Sequence, residues 1–175
     1  MRTPTSPWFG LLFAAALVSS GCGGTASSGG TASVRVVNAS MDYASVDLYL
    51  DEKRKIASVD YESASDYLKV DADTYAVEFR RAGATGSLDA FDEDLASDER
   101  LTWLVLGSSG AFQALAVDET HAAADKGRSL VRLVNGAADA GAVDVYLTDE
   151  TTALADVAPT YADVGATART TVTSA

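Results

Sequence analysis

From Ser33 onward, apolar and polar residues alternate in short runs with a period of two, the pattern of strands that bury one face. In Val46-Asp47-Leu48-Tyr49-Leu50, the side chains of Val46, Leu48 and Leu50 face one way and those of Asp47 and Tyr49 the other. Tyr75, Val77 and Phe79 share a face opposite Ala76, Glu78 and Arg80. The same patterning predicts strands near Ile56 to Val59, Ser65 to Val70, Leu88 to Leu95, Leu101 to Leu106 and Phe112 to Val117. Between them stand Asp51-Glu52-Lys53, Asp71-Ala72-Asp73, Gly83-Ala84-Thr85-Gly86, Ser97-Asp98-Glu99 and Ser108-Ser109-Gly110, all with turn chemistry. The expected fold is all-β, an antiparallel β-sandwich of immunoglobulin-like or transthyretin-like type. Trp103 shares a strand face with Leu101 and Val105 and is assigned to the core.

The N-terminal residues break this pattern. Residues 1–21 carry one base, Arg2, then an apolar stretch from Trp8 to Val18, then the small residues Ser19-Ser20-Gly21 before Cys22. That order is the pattern of a secretory signal peptide, and its apolar stretch of 11 residues falls short of the roughly 20 that a spanning helix needs. Cys22 is the single cysteine, so no intramolecular disulfide can form. Residues 22–32, Cys22 followed by Gly, Ser, Thr and Ala, read as a flexible tether, and ten residues of that composition span about 16 to 19 Å. Residues 33–119 then form a first domain, 120–128 a polar linker, and 129–175 a shorter second segment.

That second segment repeats the first. A shift of 97 residues aligns Val34 through Leu50 with Val131 through Leu147, and nine of the 17 positions are identical. The second segment is about half as long as the first, which predicts a partial copy whose apolar face must find cover.

The run Val34-Arg35-Val36-Val37-Asn38-Ala39 is followed by Val46-Asp47-Leu48-Tyr49-Leu50, then by Ser65-Asp66-Tyr67-Leu68-Lys69-Val70 and Asp71-Ala72-Asp73-Thr74-Tyr75-Ala76-Val77. Together they resemble the bacterial family called domain of unknown function 4397. The resemblance implies an exported or surface-attached β domain, commonly in tandem, with no assigned catalytic residues. Separately, Leu17-Val18-Ser19-Ser20-Gly21-Cys22-Gly23 resembles a bacterial lipoprotein signal, in which the Cys thiol receives a diacylglyceryl group. It departs from that pattern at Ser19, where Leu is usual. This second resemblance implies lipidation of Cys22 and a membrane-anchored lipoprotein of the cell envelope. Gly23 after the Cys implies an outer-membrane or periplasm-facing address if the cell is Gram-negative.

Charge and the inventory of reactive groups narrow the function. The chain has 13 Lys and Arg against 25 Asp and Glu. Without residues 1–21 that becomes 12 against 25, a formal charge of −13. Such a surface repels phosphates, so nucleic acid is not an expected partner. The only histidine, His121, lies in the linker, and nucleophile elbows, zincin helices and phosphate or dinucleotide loops are all missing. Gly107-Ser108-Ser109-Gly110 reads as a hairpin turn rather than a nucleophile turn. Asp71 and Asp73, or Asp89, Asp92, Glu93 and Asp94, offer oxygens for calcium without the loop spacing that calcium sites use, so they read as solvated turns. The expectation is a protein without enzyme activity, cofactor or metal.

Arg35, Asp47 and Tyr49 recur as Arg132, Asp144 and Tyr146. They fit either a surface that recognises glycan or peptide or a set of cross-strand pairs that fix register. The leading expectation is a lipid-tethered module for binding, adhesion or spacing, with a glycan, peptide or other envelope protein as partner. The alternative is an accessory or chaperone-like periplasmic protein that accepts a partner's strand at an open sheet edge.

Overall fold

The computed structural model describes residues 29–108, 110–121, 124–166 and 169–173. Residues 1–21, expected to be a signal peptide, and Cys22 lie outside the described residues. Two sheets share one apolar core.

The first sheet contains β1 (Thr31–Asn38), β4 (Ser63–Ala64), β5 (Leu68–Asp71), β8 (Arg100–Leu106) and β9 (Gln113–Asp118). β1 begins at Thr31 and Ala32 is fully buried, so the last two residues of the expected tether belong to the sheet. β4 and β5 follow one another along one edge of β1, and β8 occupies the other edge. The β1–β8 pairing is parallel, with Val34 opposite Leu101 and Val36 opposite Trp103. The other pairings of this sheet are antiparallel as expected, and this one pair departs from that pattern. A parallel pair needs a long crossover, and the whole second sheet lies between β1 and β8 in sequence.

The expected strand from Ser65 to Val70 is also broken. Ser65 donates its N–H to the Val36 carbonyl at 2.9 Å and accepts the Val36 N–H on Oγ at 3.0 Å. Its side chain thus replaces one backbone rung, and regular pairing resumes only at Leu68.

The second sheet runs β3 (Lys53–Asp60), β2 (Ser45–Leu50), β6 (Thr74–Arg81), β7 (Ser87–Asp94), with every pairing antiparallel. β2 and β3 are joined by Asp51 and Glu52, both at positive φ (49° and 63°), the two-residue geometry whose twist matches a hairpin. Val46, Leu48 and Leu50 of β2 and Val77 and Phe79 of β6 meet Val34, Val36, Leu101, Trp103 and Val105 of the first sheet in the core. Trp103 is 0% exposed and lies edge to face with Phe79, ring centroids 6.2 Å apart. Each such side chain contributes roughly 1.5–3 kcal/mol by leaving water.

Asn38, fully buried at the end of β1, fixes the chain as it crosses between the sheets. Its amide donates to the Tyr43 carbonyl at 2.7 Å and the Val59 carbonyl at 3.1 Å, and its Oδ1 accepts the Ser40 N–H at 3.1 Å.

Beyond Arg128 come β10 (Leu130–Val134), β11 (Val143–Val145), β12 (Tyr161–Val164) and β13 (Arg169–Thr173), with single 3-10 turns at Ala138–Ala140 and Leu154–Asp156. β10 pairs β13 and β11 pairs β12, both antiparallel. Asn135 donates to the Gly141 carbonyl at 2.8 Å and the Val164 carbonyl at 3.0 Å, and accepts the Ala137 N–H at 3.1 Å. Val143 and Val145 lie opposite Val164 and Tyr161, while Val46 and Leu48 lie opposite Val59 and Ile56; both ladders shift register between those two pairs.

Candidate functional site

The polar side chains gather on the outward faces of the two sheets. On the first, Arg35 alternates with the buried Val34 and Val36 and so points away from the core. Its Nε donates to Thr102 Oγ1 at 2.9 Å and its Nη2 to Glu119 Oε1 at 3.0 Å. Thr102 in turn donates to Glu119 Oε1 at 2.9 Å, and the Tyr67 hydroxyl donates to Glu119 Oε2. The guanidinium groups of Arg35 and Arg100 lie over the Tyr67 ring, 4.7 and 4.4 Å from its centroid. Burial pushes the Glu119 carboxyl up, but the hydrogen bonds from Tyr67, Thr102 and Arg35 and the Arg35 charge outweigh it and hold the group below its ordinary value. A carboxylate receiving three side-chain donors has little capacity left to take a proton from a substrate. The network joins β1, β8 and the ends of β5 and β9 across the sheet.

On the second sheet, Asp47 is only 1% exposed, which corrects its placement on an open polar face. It sits beneath β3, where Oδ1 accepts the Ser58 N–H at 2.8 Å and Oδ2 accepts Arg54 Nη1 at 3.3 Å. Ser58 has φ of 53°, so the strand is bulged there, and Asp47 satisfies the N–H that the bulge turns away from the ladder. Tyr49 lies under the Arg80 guanidinium, 4.1 Å from ring centroid to Cζ. Arg80 also holds Glu78 through two hydrogen bonds of 2.8 and 2.6 Å, which keep the Glu78 carboxyl below its usual range.

Arg35 is therefore on one sheet and Asp47 and Tyr49 on the other, and the structure does not bring the three onto one surface. In the second segment, exposed Asp144 accepts the Asp163 N–H at 2.9 Å, and Asp163 has φ of 56°. Arg132 lies in β10 and half-buried Tyr146 directly follows β11. Tyr67, Arg100, Thr102 and Glu119, which complete the Arg35 network, carry no motif in the sequence; the only local hint is Tyr67 within the Ser65-Asp66-Tyr67-Leu68-Lys69-Val70 run.

A cleft of about 460 Å³ lies where the two segments meet, lined by Ser40, Met41, Asp42, Tyr61, Leu106 and Asp139 among others. Gly136 approaches the Leu106 side chain so closely that an added Cβ would stand 2.7 Å from Leu106 Cδ2. Among the described residues, no group of three or more His, Cys, Asp or Glu side chains is placed to hold a metal ion. No helix among them is long and apolar enough to cross a membrane.

The fold and its polar networks define an all-β domain organised around two sheets. The chain belongs to the family described as Domain of unknown function (DUF4397), whose profile matches residues 32–146. No curated protein matches the chain.

Proposed function

We propose that this chain is a non-enzymatic lipoprotein of the cell envelope. In this reading it is exported, cleaved before Cys22, acylated on that thiol and held at a membrane, where it displays a β module for binding, adhesion or spacing. The observation that carries the reading is Cys22 itself: the single cysteine, placed directly after a signal-type segment and before a Gly/Ser/Thr stretch. Several buried acyl chains, at about 0.8 kcal/mol per CH₂, hold such a protein firmly to a bilayer. A display role also accords with carboxylates that are occupied by structural donors, Glu119 by three side chains and Asp47 by a backbone N–H and Arg54.

The two sheets form a β-sandwich of immunoglobulin-like or transthyretin-like type, and residues 129–175 are a partial second copy of it. The copy reading draws support from the nine identities in 17 positions and from the shared bonding of Asn38 and Asn135. It draws further support from Asp47 and Asp144, each of which accepts the N–H of a residue at positive φ.

Fractionation of cells expressing the wild type and Cys22→Ala tests the anchor. Wild type in the membrane pellet and the variant in the soluble fraction is the expected result. Equal partition of the two would overturn it.

A further inference from the structure

The four-stranded sheet β3-β2-β6-β7 ends in two edges of opposite charge. Among the described residues, nothing pairs with the outer side of β3 or of β7. β3 opens with three consecutive bases, Lys53, Arg54 and Lys55, all exposed. Arg54 is held to Asp47 at 3.3 Å, yet its side chain remains 52% exposed. β7 carries Asp89, Asp92, Glu93 and Asp94.

Charges on an edge strand ordinarily guard it against pairing with other chains. Here the guard is selective. Two β3 edges brought together set base against base and two β7 edges acid against acid, whereas β3 against β7 sets bases against acids.

Strand direction makes the same selection. β2 is antiparallel to both β3 and β6, and β6 is antiparallel to β7, so β3 and β7 run in opposite directions. Copies standing the same way up therefore form an antiparallel ladder only where β3 of one meets β7 of the next, and like edges meet in parallel. A lipid on Cys22 imposes that common orientation, since every copy then hangs from the residues just ahead of β1; this step rests on the anchor proposed above.

The faces agree as well. On its inner side β3 sets Lys53 opposite Leu50, Arg54 opposite Tyr49 and Ile56 opposite Leu48, with one residue of β3 bulged out. β7 fits the outer side with the same stagger, Glu93 against Lys53, Asp92 against Arg54 and Phe91 against Ile56. Phe91 and Glu93 lie opposite Val77 and Tyr75, on the core side like Ile56 and Lys53, and Asp92 shares the outer side with Arg54. Half-buried Phe91 then meets Ile56 and carries the apolar core across the junction.

We propose that β3 of one copy pairs with β7 of the next, so that the tethered modules associate side by side in rows. The contact joins two different patches and keeps every copy in one orientation, so it does not close into a two-fold dimer. Tethering to one membrane raises the effective concentration of the edges, which offsets the modest strength of exposed ion pairs.

Cross-linking in solution tests the pairing apart from the anchor. Ala57 and Ala90, both exposed, come opposite one another in this register. Within one chain they sit at the two ends of the sheet, roughly 14 Å apart at about 4.8 Å per strand, beyond the reach of a disulfide. A Cys22→Ala/Ala57→Cys chain is mixed with an isotope-labelled Cys22→Ala/Ala90→Cys chain at the roughly millimolar concentration that a short tether imposes. The mixture is oxidised mildly and its dimers are distinguished by mass. The expected result is a mixed dimer exceeding each homodimer by about tenfold, where random collision gives about twofold. Lys53→Glu/Lys55→Glu on the Ala57→Cys chain is expected to remove the excess, and Asp92→Lys/Asp94→Lys on the other chain to restore it.

A statistical mixture from the parent pair would overturn the proposal. An excess that survives Lys53→Glu/Lys55→Glu, or one that the second charge reversal does not restore, would overturn it too. If the mixed dimer forms as expected but Cys22→Ala leaves cell fractionation unchanged, the anchor falls and the edge pairing stands.

Discussion

Asp47 and Ser58 form a cap in the middle of a sheet: the carboxylate of β2 accepts at 2.8 Å the N–H that β3 turns out of its ladder at a left-handed residue. Asp47→Ala removes the acceptor from a part-buried donor and is expected to destabilise the fold by about 1.5–3 kcal/mol in chemical denaturation. Ser58→Gly relieves the left-handed backbone, which costs a non-glycine residue roughly 1–2 kcal/mol, against the extra chain entropy of glycine. The net expectation is a neutral to mildly stabilised protein. Marked destabilisation by Ser58→Gly would contradict the bulge.

The Trp103 and Phe79 rings join the two sheets at the centre of the core. Trp103→Ala is expected to cost about 3–5 kcal/mol by urea denaturation, because the large cavity lies where neither sheet can collapse freely. Trp103→Phe should cost clearly less: it keeps an aromatic filler and removes the buried indole N–H, which has no hydrogen-bond partner among the described residues.

Glu119 ties stability to acid. Its folded carboxyl lies below the ordinary value of 4.5, so it binds its proton less readily folded than unfolded. Its contribution is therefore fully present above about pH 4.5 and is lost as pH falls through the depressed folded value. Thermal melts of wild type and Glu119→Gln across this range should differ most near neutral pH and converge at the acid end. A difference that stays constant with pH would contradict the network.

Tyr49 and Arg80 carry the surface pair that the sequence offered either as recognition or as register. With the ring 4.1 Å from the guanidinium carbon, Tyr49→Ala is expected to lower stability by roughly 0.5–1 kcal/mol. An unchanged melting temperature would remove the register role and return Tyr49 to the recognition hypothesis.

The strands were legible because one buried face imposes a period of two, and Val46 to Leu50, Tyr75 to Phe79 and Leu101 to Leu106 all lie in strands. The parallel β1–β8 pairing was not legible, since alternation records which face is buried and not which distant strand lies alongside. Asp47 was misread for a related reason: period two correctly turns it away from the core, but a bulged neighbour and Arg54 cover that side. The Glu119 network joins residues as far as 84 positions apart, so no local spacing marks it.

The most direct test of the envelope assignment is the intact mass of the mature protein recovered from the membrane fraction of native expression. The account predicts a chain that begins at Cys22, heavier than its polypeptide by a diacylglyceryl group and any further acyl chain. An unmodified, soluble chain, or one whose mass still includes residues 1–21, would contradict it.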